Sequence, residues 1–191
     1  MNAFVVNLPA STRLSDDQFY ELCVANPDIK IERTSTEELV FMPPTGGETG
    51  KRNAELIIEF GIWNRQKGLG QLFDSSTCFK LPNGAELSPD VAWVLQSRWE
   101  ALARAQREKF PPLAPDFVLE LMSPSDQLEA ARAKMSEYQA NGVQLGWLLD
   151  RKGRGVEVYR ENQPVEVLQN PKTLSGEDVL PGFALPLSLV W

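Results

Sequence analysis

Histidine is missing altogether from these 191 residues, and cysteine occurs only twice, as Cys23 and Cys78. The first absence removes Ser-His-Asp and Cys-His hydrolysis, HExxH peptidases and His-ligated zinc. The second removes a cysteine zinc site, and because the two thiols lie far apart in no motif, both read as reduced and structural. No apolar run reaches membrane-spanning length, and "MNAFVVNLPASTRL" lacks the basic start of a secretory signal. A soluble, cytoplasmic protein with no membrane partner is therefore expected. No P-loop or GxGxxG fingerprint occurs either; "PPTGGETG" has glycines without the lysine or the spacing. What remains for chemistry is carboxylates, lysines, hydroxyls and hard cations.

Acidic residues outnumber basic ones by 26 to 19, a net charge of -7. That argues against a protein that coats nucleic acid, which would be basic. It leaves a nuclease open, since acids that gather Mg²⁺ let the cation attract phosphate. With 42% hydrophobic residues, no internal repeat and no linker, the length suits one core and a single domain over 1–191.

Buried strands alternating with helices predict an α/β fold, a mixed central sheet flanked by helices, with an N-terminal helix and hairpin added to it. Ser15, Asp16 and Asp17 open a helix that ends near Asn26-Pro27. "IKIERTSTEELVFMPP" alternates about a Thr/Ser turn and reads as the hairpin. Leu56, Ile57, Phe60 and Trp63 have helical spacing between Thr49 and Lys67, with Gly68 as the stop. Gly70 to Leu81 reads as a strand pair or one bent strand, and Asp74 as a turn support for Ser75 and Ser76. Val91–Leu95, Phe117–Met122 and "VQLGWLLD" read as buried strands, Arg98–Arg107 as a short exposed helix. "SPSDQLEAARAKMSEYQANG" reads as a helix with Leu128, Ala131, Met135 and Tyr138 as its apolar stripe.

Two of those strands carry a carboxylate that is costly to desolvate. In "ELSPDVAWVLQ" Asp90 stands against Val91–Leu95, and in "FVLELMSPSD" Glu120 interrupts the apolar run. Strand alternation puts Glu120 on one face with Val118 and Met122. If the strands are neighbours, Asp90 and Glu120 converge at the sheet edge and suit one Mg²⁺ (or Mn²⁺), which takes oxygen ligands and needs no histidine. Ser-Pro-Asp is equally ordinary turn chemistry, and Glu120 has an ion pair with an arginine as its structural alternative.

Ser-Pro-Asp before an apolar strand, followed by Phe-Val-Leu-Glu-Leu-Met-Ser-Pro-Ser, resembles the PD-(D/E)XK, restriction-endonuclease-like nuclease superfamily, and within it the Uma-two-type endonuclease family. The resemblance continues through "KMSEYQANGVQLGWLLD" and "LPGFALPLSLVW", so it covers most of the chain. It implies a Mg²⁺-dependent endonuclease acting on DNA, with Asp90 and Glu120 as metal ligands. The superfamily pattern puts lysine where this chain has Met122, and Lys134 on the next helix, bordering the buried stripe, is the substitute that the resemblance points to. A snorkelling surface lysine is its structural alternative. The superfamily's acid on the first core helix corresponds to Glu48, with Glu55 second; Glu48 can equally be a first-turn acid that favours the helix dipole. Lys80 could join the site, though a surface lysine accounts for it as well. Two other functions compete: an inactive nuclease-fold binding protein, with Met122 as the relic, and a metal-dependent hydrolase of a small substrate. Cutting both strands of a duplex favours a homodimer.

Overall fold

A computed structural model describes residues 3–191. The chain begins with a short strand, β1 (Phe4–Val6), and a ten-residue helix, α1 (Asp16–Ala25). Ser15 starts α1 with a capping box: its hydroxyl accepts from the Gln18 amide while the Gln18 side chain accepts from the Ser15 amide. The hairpin follows as β2 (Lys30–Arg33) and β3 (Leu39–Met42). Next comes the longest helix, α2 (Gly47–Lys67), closed by Gly68 in the left-handed conformation that glycine adopts without penalty.

Gly70 to Leu81 is neither one bent strand nor a paired hairpin. It divides into β4 (Gly70–Asp74) and β5 (Phe79–Lys80), which belong to different sheets. Asp74 makes the switch, because its carboxylate accepts from the Ser76 amide and hydroxyl and its carbonyl from the Thr77 amide. Then come β6 (Glu86–Leu87) and β7 (Val91–Leu95). The expected helix over Arg98–Arg107 is two pieces, α3 (Gln96–Ala101) and α4 (Arg104–Arg107), with extended backbone at Leu102 and Ala103 between them. β8 (Phe117–Leu121) leads to α5 (Leu128–Ala140), and the chain returns as β9 (Leu145–Asp150), β10 (Gly155–Arg160) and β11 (Glu166–Gln169). A small ribbon, β12 (Thr173–Ser175) with β13 (Ala184–Pro186), ends the fold.

The main sheet has the order β11-β10-β9-β8-β7-β4. Only β8 and β9 are parallel, joined through α5; every other pair is antiparallel, so the sheet is mixed as expected. One face buries Val91, Trp93, Phe117, Leu119 and Trp147 against Leu56, Phe60 and Trp63 of α2 and the apolar C-terminal segment. The other face carries Val118, Met122 and Leu148, and packs on Met135 and Tyr138 of α5. A second sheet, β1-β3-β2-β6-β5, lies on this α5 side, where Leu81, Ala85 and Leu87 join the same cluster. The hairpin is added to the main sheet as expected, and with β1, β6 and β5 it forms a second layer over the face that bears Glu120.

Candidate active site

β7 and β8 are neighbours, with Val91 opposite Leu119 and Ala92 opposite Val118. One step further along this register brings Asp90 level with Glu120. The Leu121 amide donates to Asp90 Oδ2 at 2.8 Å and Asn53 Nδ2 to Asp90 Oδ1 at 3.2 Å. Asp90 is thus clamped between β8 and α2 with both oxygens oriented. The turn reading of Ser-Pro-Asp explains its position at the strand head but not these two long-range bonds.

Glu120 points to the α5 face, and its partner is not an arginine. Lys134 Nζ lies 2.8 Å from Glu120 Oε1 and 2.9 Å from Glu32 Oε1, and donates to the Ser88 carbonyl at 3.3 Å. Its side chain is 15% exposed, so Lys134 is a buried cation between two carboxylates and no snorkelling surface lysine. Met135 and Tyr138 on the same helix are fully buried and hold α5 in this rotation. Tyr138 Oη donates to Glu120 Oε1 at 3.3 Å. Glu32 also accepts from the Ser88 amide at 2.9 Å, and Lys30 Nζ donates to the Ser88 carbonyl at 3.1 Å.

Sequence reasoning missed Glu32, Lys30, Tyr138 and Asn53. Lys30 and Glu32 alternate with Ile31 in β2, a pattern indistinguishable from a solvent-facing strand edge until the second sheet is laid over the first. Tyr138 reads as part of an apolar stripe. Asn53 carries no charge to draw attention to it, yet it is the α2 residue that reaches Asp90. Glu48 does not take that place: its carboxylate is 77% exposed and pairs with Arg52 within the first turns of the helix. Five residues separate it from Asn53, which rotates it roughly 140° around the helix. Glu55 is half-buried and bonds to none of these groups. Lys80 pairs with Asp16, which Arg33 also holds, and belongs to a separate ion network at β5 and α1.

Electrostatics separates Glu120 from Glu32 and fixes the charge of Lys134. Burial pushes the Glu120 carboxyl up to about 7, helped by the negative charges of Asp90 and Glu32 and opposed by Lys134. Burial would also raise Glu32, but Lys134, Lys30 and the Ser88 amide outweigh it and hold its carboxyl below the ordinary range. For Lys134, burial disfavours the charge, and Glu120 with Glu32 reverses this, so its ammonium stays protonated well above the usual range. Burial raises the Tyr138 phenol too, with Glu120 adding to it, so Tyr138 is a hydrogen-bond donor at any physiological pH.

The donor set fits a hard divalent cation. Among the described residues, the three acids Asp90, Glu32 and Glu120 gather around two cations, Lys30 and Lys134. Asn53 Oδ1 is buried and without a hydrogen-bond partner among the described residues, an oxygen orphaned beside Asp90. No three acidic or thiol ligands form a ready-made cage among the described residues. Mg²⁺ does not require one, because it is held by one or two carboxylates, with waters and substrate phosphate completing six oxygens.

The sequence signature of the Uma2 family, described as "Putative restriction endonuclease", matches residues 16–188. The chain belongs to the Uma2 family. Its fold is shared by the crystal structure of a "putative nuclease" from Anabaena variabilis ATCC 29413, with a TM-score of 0.76 over 92% of this chain and 96% of that one at 19% identity. At that identity the likeness establishes the fold. No curated protein matches the chain. Among the described residues of this Uma2 member no helix is long and apolar enough to cross a membrane.

Proposed function

We propose that this Uma2 member is a Mg²⁺- or Mn²⁺-dependent endonuclease that hydrolyses DNA phosphodiester bonds as a homodimer in the cytoplasm. The observation that carries the reading is the buried Lys134 held between Glu32 and Glu120, level with the clamped carboxylate of Asp90. Asp90, Glu120 and the Asn53 amide oxygen would hold the ion. Such an ion would supply an activated water and neutralise charge that builds on the phosphate. Asp90 enters the reaction already oriented by Leu121 and Asn53, which avoids reorganisation. Glu120 would face the ion with its carboxylate held by Lys134 at 2.8 Å and Tyr138 at 3.3 Å. Lys134 cannot act as a base while two carboxylates keep it protonated; with its three N–H groups directed at Glu32, Glu120 and the Ser88 carbonyl, it fixes the Glu120 carboxylate in place. Met122 sits in the apolar cluster of α5, and since Lys134 supplies the cation that Met122 does not, Met122 alone is weak support for an inactive scaffold.

Free thiols at Cys23 and Cys78 suit a reducing compartment. The homodimer is supported by β1, an edge strand that exposes Phe4, Val5 and Val6. Relaxation of supercoiled plasmid in Mg²⁺ and Mn²⁺ tests the reading. Wild type should nick or cleave, and Asp90→Ala and Glu120→Gln should each lose at least ~100-fold, since each removes a ligand of the ion and the ion's contribution is several kcal/mol. Activity that survives both substitutions refutes it.

A further inference from the structure

A cleft of about 310 Å³ opens immediately beside the acidic cluster, between Arg52, Met122, Trp191 and the β9–β10 turn with Arg151, Lys152 and Arg154. Its walls are continuous with the site. Met122 lies two residues beyond Glu120 on β8, and Arg52 precedes Asn53 on α2. We propose that this cleft binds the backbone phosphates of the nucleic-acid strand next to the bond being cut. This rests on the nuclease reading above and names the surface that would hold its substrate.

The charge there is unusual for this chain. Acids outnumber bases by 26 to 19, yet Arg151, Lys152 and Arg154 form no ion pair among the described residues. Two carboxylates lie beside the cleft: Asp150 accepts from the turn amides of Lys152 and Gly153 at 2.9 and 3.2 Å, while Glu48, whose carbonyl accepts from Arg151 at 3.4 Å, pairs with Arg52. A Cβ at Gly153 would lie 2.7 Å from the Asp150 carboxylate, so a larger residue there would displace the Asp150 side chain from its turn bonds. Arg154 has a φ of 48°, left-handed backbone that a long side chain seldom adopts, and such strain persists where the surrounding structure imposes it. Arg52 is anchored by donating from Nε to the Val190 carbonyl at 2.7 Å. Trp191 and Met122 add an apolar wall on which a base can stack. Four cations, Arg52, Arg151, Lys152 and Arg154, outnumber the two carboxylates Glu48 and Asp150 around the cleft, and with an aromatic face they are the parts that a phosphodiester strand requires. The larger cleft of about 770 Å³ touches the site only at Lys30 and Ser88, and its wall mixes acids with bases.

The test is anisotropy of a labelled DNA duplex in Ca²⁺, with salt titrated, alongside plasmid cleavage in Mg²⁺. The variants are the triple Arg151→Ala/Lys152→Ala/Arg154→Ala and a control, Arg65→Ala/Lys67→Ala, whose side chains are exposed at the far end of α2. For three phosphate contacts, the triple variant should flatten the slope of log K against log salt by about 2–3, and weaken binding at least ~10-fold at ~0.1 M salt. The control should leave both unchanged. A triple variant that binds with the wild-type slope, or a wild type that binds no DNA in any divalent metal, overturns the cleft. Binding that depends on the turn without any cleavage by wild type keeps the cleft and discards the nuclease. Cleavage by wild type with no effect of the triple variant does the reverse.

Discussion

Lys134 neutralises two buried carboxylates at once, so its loss is felt first as instability. Removing one partner of a buried ion pair costs about 3–5 kcal/mol, because the remaining charge has neither water nor counter-ion. Lys134→Met should show a loss of that size by urea denaturation at pH 8, with a smaller deficit at pH 5.5, where Glu120 is protonated and Glu32 alone remains unpaired. Wild-type stability carries a related signature. The Glu120 carboxyl titrates near 7 when folded and near 4.5 when unfolded, so the folded state binds its proton more tightly. Stability is then lost as pH rises between those values, since the unfolded chain releases the proton first. Glu86 adds a second decline in the same window. Burial raises it to about 7 although Arg33 lies 2.8 Å away. That contact is a charge pair and not an aligned hydrogen bond, for Arg33 Nε and Glu86 Oε2 both lack a hydrogen-bond partner among the described residues. Glu120→Gln should remove part of the slope between pH 5 and 7 and leave the Glu86 part; an unaltered slope would contradict the burial assigned to Glu120. No histidine contributes to that interval, so the whole signal belongs to carboxylates.

Among the elements, two glycines in the main sheet should respond unequally to alanine. At Gly70 a Cβ would meet the Val94 carbonyl at 2.3 Å and the Trp93 ring at 2.5 Å, and a strand carbonyl cannot step aside. Gly70→Ala should lose about 1–3 kcal/mol or more, in the range of overpacked cores. At Gly146 the nearest atom is the terminal methyl of Met135 at 2.6 Å, the end of a flexible side chain. Gly146→Ala should cost less, and thermal melts of the two variants compare them directly. The main sheet was legible because period-2 and period-3.6 patterns are strong where both faces of a strand or one stripe of a helix are buried. Asp90 and Glu120 stood out for the same reason, being charges in runs that otherwise exclude them. The second sheet was not legible as a layer. Its strands are short, Phe79–Lys80 and Glu86–Leu87 are two residues each, and only the pairing of Arg33 with Glu86 ties β6 to β2 far back in the chain. Lys30 and Glu32 were hidden with it. Alternation tells which residues share a face, not whether that face is later covered. The break of the predicted helix into α3 and α4 is set by the extended backbone at Leu102–Ala103, which no glycine or proline announces.

For the molecule as a whole, the edge strand β1 exposes Phe4, Val5 and Val6 at 59%, 52% and 38%, three neighbours on one chain edge. Light scattering should give a mass near twice 21.4 kDa, and Val5→Lys should return it to the monomer, as charge on an edge strand opposes pairing. A monomeric wild type would remove the twofold arrangement while leaving the chemistry of each chain intact. The tie between the two layers has a temporal side as well. Glu32 and Lys134 are 102 positions apart, and the ammonium that completes the cluster lies in the last third of the chain. While the polypeptide is still emerging from the ribosome, Glu32, Asp90 and Glu120 are already made but their counter-ion is not. A nascent chain therefore holds mutually repelling acids and no assembled centre. The ability to cut, on this reading, is acquired only when α5 arrives, after nearly three-quarters of the sequence has been synthesised.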